Sequence, residues 1–270
     1  MLRRTVFALV AAVSAGPVWA SEQSDRLLDA LELDRIVAIM IEEGTEYGTD
    51  IGTAMLPDGG GAEWQGIVAR IYDAGAMAET VRAGVDAALG EADIAQAIDF
   101  FESDRGQRIV DMELEAREAM LDAEIEEAAR AAWLDRADDG SELVAKIETF
   151  IETNDLIESN VVGALNSSLR FYNGLADGGL LEMSDDEILS EVWAEEPQTR
   201  DETTEWVHGF LLMAYGPLAP EDFDAYQALS ESEAGQAMNR ALFAGFNAMY
   251  FEISYALGLA VAGQSVATEL

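Results

Sequence analysis

Glu205-Trp206-Val207-His208 sets a carboxylate and an imidazole three positions apart, on one face of any helix that carries them. An E-x-x-H pair is part of the ligand set of ferritin-like di-metal bundles, which need two such pairs and two further glutamates. His208 is the only histidine in the chain, so the second pair is missing. Every site that needs two imidazoles is excluded with it. A Ser–His–Asp hydrolase would also have to use His208, and no G-x-S-x-G turn accompanies it. The plainer reading is a helix face that happens to carry one histidine.

Calcium chemistry is the next possibility. In "DRADDGSELVAK", Asp135 as first ligand puts Asp139 fifth and Gly140 sixth. The third position is then Ala137, and the twelfth, which needs a bidentate Glu, is Lys146. The loop fails as an EF-hand and reads better as a turn between two parts of the chain. Glu182, Asp185, Asp186 and Glu187 form a looser acidic group at a helix start, a place where carboxylates are favoured by the helix dipole. They leave weak divalent-cation binding open. A hydrolase built on two carboxylates in unlike environments is also open, but nothing singles out a pair. With no cysteine, thiol nucleophiles, redox pairs and thiolate zinc sites are absent. No cofactor or metal site is expected, and an enzyme is the less favoured reading.

These residues sit in a very acidic chain, with 53 Asp and Glu against 15 Lys and Arg, a net charge of −38 at pH 7. Lys146 is the only lysine. Such a surface repels phosphate backbones, so nucleic acid is not an expected partner. Arg3 and Arg4 precede an apolar run from Val6 to Val18, and Val18-Trp19-Ala20 has the small-x-small shape of a signal-peptidase site. The expectation is a signal peptide over residues 1–20, cleaved after Ala20, and a periplasmic or secreted protein. No cysteine follows the run to take a lipid.

The remainder predicts an all-α fold. Apolar residues recur at three and four positions, and long alternating runs are missing. Leu27, Leu28, Leu31, Ile36, Ile39 and Met40 suit one or two helices. Gly59 to Gly61 break the chain before a helix carrying Trp64, Val68 and Ile71. Ser184 with Glu187 and Thr199 with Glu202 have the spacing of capping boxes at helix starts. Asp135 to Glu142 reads as the boundary between a helical domain over residues 21–137 and a second over 138–270.

The two domains read as copies. Glu102-Ser103-Asp104-Arg105-Gly106-Gln107 and Glu231-Ser232-Glu233-Ala234-Gly235-Gln236 both fit E-S-x-x-G-Q, 129 positions apart. Leu89 and Leu218, Asp93 and Asp222, and Met120 and Met249 match at the same offset. Ser103 and Ser232 are suited to N-cap a helix. Gly106 and Gly235 would fall in its first turn, where glycine is a poor helix former and close approach of the preceding helix is the expected reason.

The stretch "ADIAQAIDFFESDRGQRIV" resembles exported bacterial proteins with the domain of unknown function 2059, which carry an F-[FY]-x-S-x-x-G-[QK] corner after an acidic helix start. The resemblance covers Ser24 to about Met120, and residues 142 to about 255 as a more divergent copy. The family usually has Pro after the corner Ser, where this chain has Asp104 and Glu233. The second copy replaces the paired aromatics with Leu229-Ser230. The resemblance implies an all-helical fold and export, and no reaction.

One contrast bears on function. After the first corner, Glu113, Glu115, Arg117, Asp122, Glu124 and Glu126 predict a solvated helix face. Their counterparts are Leu242, Ala244, Phe246, Phe251, Ile253 and Tyr255. The second helix is apolar nearly all round from Ala241 to about Ala262. Such a helix is buried, covered by a partner, or in a membrane. Membrane contact is the least favoured, because Glu252 in mid-bilayer would cost about 3 kcal/mol. A core helix is the first expectation. A groove lined by residues such as Phe246 and Tyr250, taking a protein partner or a small apolar ligand, is the second. A non-enzymatic binding or interaction module is the function class these features favour.

Overall fold

The computed structural model describes residues 16–137 and 140–268. Residues 1–15 of the expected signal peptide, and Asp138 and Asp139 of the expected boundary turn, lie outside the described residues. Among those described there is no strand, and the protein is all-α.

Seven helices precede residue 138: α1 (Gly16–Ala30), α2 (Leu33–Met55), α3 (Gly61–Ile71), α4 (Ala74–Leu89), α5 (Ala95–Phe101), α6 (Asp104–Ala119) and α7 (Ala123–Leu134). A short 3-10 turn over Pro57–Gly60 links α2 to α3. Six follow residue 139: α8 (Glu142–Asn154), α9 (Leu156–Asp177), α10 (Asp185–Ala194), α11 (Glu196–Tyr215), α12 (Pro220–Ser230) and α13 (Glu233–Thr268).

Local chemistry sets these boundaries. Ser184 and Glu187 form a reciprocal capping box at the start of α10. Asp73, Asp122 and Ser141 each cap a helix through a side-chain oxygen. Thr199 is not a cap, contrary to the sequence expectation. Pro197 already fits the opening turn of α11, which starts at Glu196, and Thr199 lies inside it, donating back to the Glu195 carbonyl at 3.0 Å. Glu32 between α1 and α2 and Asp155 between α8 and α9 both adopt left-handed backbone, with φ 56° and 50°. Both sit just past a helix end, where that conformation lets the chain turn sharply into the next helix.

The apolar helix over residues 241–262 is part of α13, which runs without a break from the corner at Ser232. It lies between α4 on one side and α9 on the other. Glycines let the backbones approach closely. A Cβ on Gly84 or Gly245 would collide with the facing helix at the α4 contact, and one on Gly174 or Gly258 would do so at the α9 contact. Ala241, Met249, Leu257 and Val261 are buried in the resulting core. Each large apolar side chain so buried is worth about 1.5–3 kcal/mol. Among the described residues, no helix is long and apolar enough to cross a membrane.

The closing helices cross over. α13 packs along α4, while α6 and α7 pack along α11. An aromatic cluster joins α5, α8 and α12, in which Phe100 stacks on Tyr226 at 5.7 Å and Phe150 meets Tyr226 at 5.0 Å. Arg105 and Arg108 of α6 also reach α12. They bind the two oxygens of Asp222 on α12 at 2.7 and 2.9 Å, and hold its carboxyl below the usual range, Arg108 most strongly.

Candidate functional site

The two corners are built alike. Ser103 Oγ accepts from Gly106 N at 3.2 Å, and Ser232 Oγ accepts from Gly235 N at 3.0 Å. Each serine also donates to a carbonyl three residues back, that of Phe100 or Leu229, at 2.6 Å. A Cβ on either glycine would strike that same carbonyl. Gln107 Nε2 donates to the carbonyls of Phe101 and Ala30, both at 2.7 Å. Gln236 Nε2 donates to those of Ser230 at 2.8 Å and Thr153 at 2.9 Å. These six residues tie helices together through backbone atoms.

His208 is equally occupied. Its Nδ1 meets the Thr204 carbonyl at 2.6 Å, its Nε2 lies 3.3 Å from Glu148, and its ring packs on Trp133 at 4.4 Å. Glu205 turns to Arg130, at 3.4 Å. Among the described residues, no three His, Cys, Asp or Glu side chains converge to hold a metal ion.

Two polar groups lie where a solvated face was expected. Glu113 of α6 points at Tyr215 of α11, itself 2% exposed, whose hydroxyl donates to the carboxylate at 2.5 Å. Burial pushes the Glu113 carboxyl up to about 7, against the pull of the Tyr215 and Tyr226 hydroxyls. One turn on, Arg117 forms a two-pronged pair with Glu43 of α2, at 2.9 and 2.8 Å. Both side chains keep roughly a quarter to a third of their surface, 27% and 31%. Burial works against the Arg117 charge, but Glu43 and the neighbouring Tyr250 outweigh it and raise its pKa above the ordinary value. The solvated reading of α6 therefore fails at Glu113 and Arg117. The cause is the packing of α6 against α11 at Glu113 and against α2 at Arg117, which turns part of its polar face inward.

The Tyr250 ring leads to a groove of about 710 Å³. Tyr47 of α2 and Tyr72 at the end of α3 form one wall. Phe171 and Tyr172 of α9 and Tyr250 of α13 bring the rings to five, over an apolar floor at Ile253 and Leu257. Asn160, Ser167, Ser168 and Asn247 supply uncharged polar atoms, and Glu195 and Glu202 supply carboxylates at the start of α11. No lysine or arginine lines it. Burial raises the phenol pKa of Tyr172, and Glu195 adds to the rise. Tyr47 is 56% exposed, and its phenol is raised in the same direction, by partial burial and then Glu195. Tyr72 is buried, and its phenol is raised by burial, with Tyr47 and Tyr250 next.

Of the two groove residues named from sequence, Tyr250 lines this groove. Phe246 does not, and packs against the main core. Tyr47, Tyr72, Tyr172 and Glu195 carry no motif and escape sequence reasoning. The only signal for the three rings is the tyrosine count, since four of the chain's seven tyrosines line the groove.

Residues 76–133 match the family model described as an uncharacterised protein conserved in bacteria, DUF2059. The match occurs once. It spans most of α4, all of α5 and α6 and most of α7, and so includes Ser103, Gly106, Gln107, Glu113 and Arg117. Every residue lining the groove falls outside it. No curated protein and no solved structure matches the chain.

Proposed function

We propose that this is an exported, non-enzymatic binding module that holds a small ligand in the tyrosine-lined groove. The observation that carries the reading is the groove itself. Its 710 Å³ falls within the roughly 300–1,000 Å³ of small-molecule pockets. Its make-up, aromatic walls with a few convergent polar groups, is the usual one for such sites. The carboxyl most displaced in pKa, Glu113, is not among its lining residues, which favours binding over acid–base chemistry. Export rests on the sequence of residues 1–20.

The module is read as two related copies, α1–α7 and α8–α13. The matching corners, the left-handed residues at Glu32 and Asp155, and the reciprocal packing of α13 on α4 and of α6 on α11 support this. The groove then lies between copies, since Tyr47 and Tyr72 belong to the first and the other lining residues to the second.

Ligand-detected NMR on a broad set of small molecules tests the reading, with Ala164→Trp as a plug. Ala164 is an exposed lining residue, so the larger ring fills the groove without entering the core. Hits lost in the plugged variant support the reading. Hits that persist unchanged, or the lack of any hit, contradict it.

A further inference from the structure

We propose that the groove selects a small organic cation, a primary or quaternary ammonium on a short uncharged body. This rests on the groove being a binding site and adds the class of ligand.

The argument is one of chemical complementarity. Aromatic rings attract ammonium groups through the negative face of the π-system, and several rings around one point form the usual cage for such ligands. Five rings line this groove. Phe171 and Tyr172 meet edge to face at 6.3 Å, so neighbouring rings present differently oriented surfaces. The Glu195 carboxylate shares the lining with Tyr47 and Tyr172, so an acidic group faces the same groove as these two rings.

No lysine or arginine is among the lining residues to oppose a cation, and Arg117 reaches the Tyr250 side chain from outside the lining. Two arginines next to lining residues, Arg200 beside Thr199 and Arg117 against Tyr250, are paired with carboxylates. Arg200 binds Glu158 at 2.7 Å and Glu196 at 2.6 Å. Arg117 is held by Glu43 behind Tyr250. The C-terminus of α10 and the N-terminus of α11 meet at Glu195, so their opposite partial charges offset one another. An anionic ligand would face two carboxylates with no compensating base. A wholly apolar one would desolvate the Glu195 and Glu202 carboxylates, of which Glu202 keeps only its bond from Gln198 Nε2 at 2.7 Å. The uncharged amides and hydroxyls suit the body of the ligand, and Ile253 and Leu257 suit its methylene groups.

Isothermal titration calorimetry on the full chain tests this. The probes are choline and a linear aliphatic diamine. The controls are the neutral carbon isostere of choline and the diol of the same chain length. The ammonium probes are expected to bind about ten-fold more tightly than their isosteres. Glu195→Gln with Glu202→Gln should weaken them by about ten-fold, and Tyr47→Ala by about three-fold. All three residues are at least half-exposed or on the surface, so these variants should fold. Glu124→Gln with Glu127→Gln, a distant exposed pair on α7, should change nothing.

Equal binding of charged and neutral probes, both abolished by Ala164→Trp, would overturn the cation inference and leave the groove reading standing. Equal weakening by the groove pair and the α7 pair would overturn it too, by revealing diffuse attraction to the acidic surface. No binding by either ammonium probe at millimolar concentration, with another compound bound in the groove, also overturns it. If in addition nothing binds in a plug-sensitive way, the groove reading fails as well.

Discussion

Gln107 and Gln236 lie 129 positions apart and make the same two hydrogen bonds. Each side-chain amide donates to the carbonyl six residues behind it and to a carbonyl near the end of the first helix of its own segment, Ala30 or Thr153. Two helix ends are thereby tied to each corner. The capping serine and the close-packed glycine complete the unit. Ser103→Ala and Ser232→Ala are each expected to cost about 1 kcal/mol in urea unfolding. Gly106→Ala and Gly235→Ala should cost more, about 2 kcal/mol, because the added methyl meets a backbone carbonyl that cannot rotate away. Equal, small losses from serine and glycine variants would contradict the close-approach account.

The corners were legible in sequence because their causes are local. A serine cap and a first-turn glycine act within six residues. The interior position of α13 was legible for a similar reason, since an apolar helix without a polar face must be covered. Glu113 and Arg117 were not. Their sequence neighbours are acidic, and only the packing of α6 against α11 and α2 turns them inward. Thr199 misled because S/T-x-x-E spacing recurs inside helices, and here Pro197 had already set the start. The groove was least legible. Its rings come from α2, α3, α9 and α13, and no spacing in the sequence records that they meet.

Glu113 gives a pH dependence of definite sign. Its folded pKa, about 7, is above the ordinary 4.5, so the folded protein holds the proton more tightly. The stabilisation is complete below 4.5 and is lost as pH rises towards 7. The slope is at most about 1.4 kcal/mol per pH unit. Glu113→Gln mimics the protonated acid and cannot ionise. Its melting temperature relative to wild type should rise across that window and level off above it. A difference independent of pH would show that Glu113 is solvated.

Asp222 has the opposite sign. Arg108 and Arg105 hold its folded pKa below the ordinary 3.8. Its contribution is present above that value and fades as pH falls through the folded pKa. Asp222→Asn should lower the melting temperature at neutral pH, and the deficit should shrink in acid. Combining it with Arg105→Gln and Arg108→Gln should add little further loss, since all three remove one contact. Additive losses would mean that the arginines act elsewhere.

Removing residues 241–270 takes away most of α13 and uncovers the facing surfaces of α4 and α9. The shortened protein is expected to bind hydrophobic dye and to aggregate. A soluble monomer with an unchanged melting temperature would contradict the placement of α13 at the centre of the core.

The most direct test of the groove as a binding site is a titration of protein carrying isotope-labelled tyrosine, followed by NMR. Seven tyrosines make the spectrum assignable by single substitution. Tyr47, Tyr72, Tyr172 and Tyr250 line the groove, whereas Tyr215 and Tyr226 belong to the buried cluster around Glu113. A bound ligand is predicted to shift the first four together and leave the last two in place. A ligand that shifts Tyr215 and Tyr226 while the groove tyrosines stay still would contradict the account.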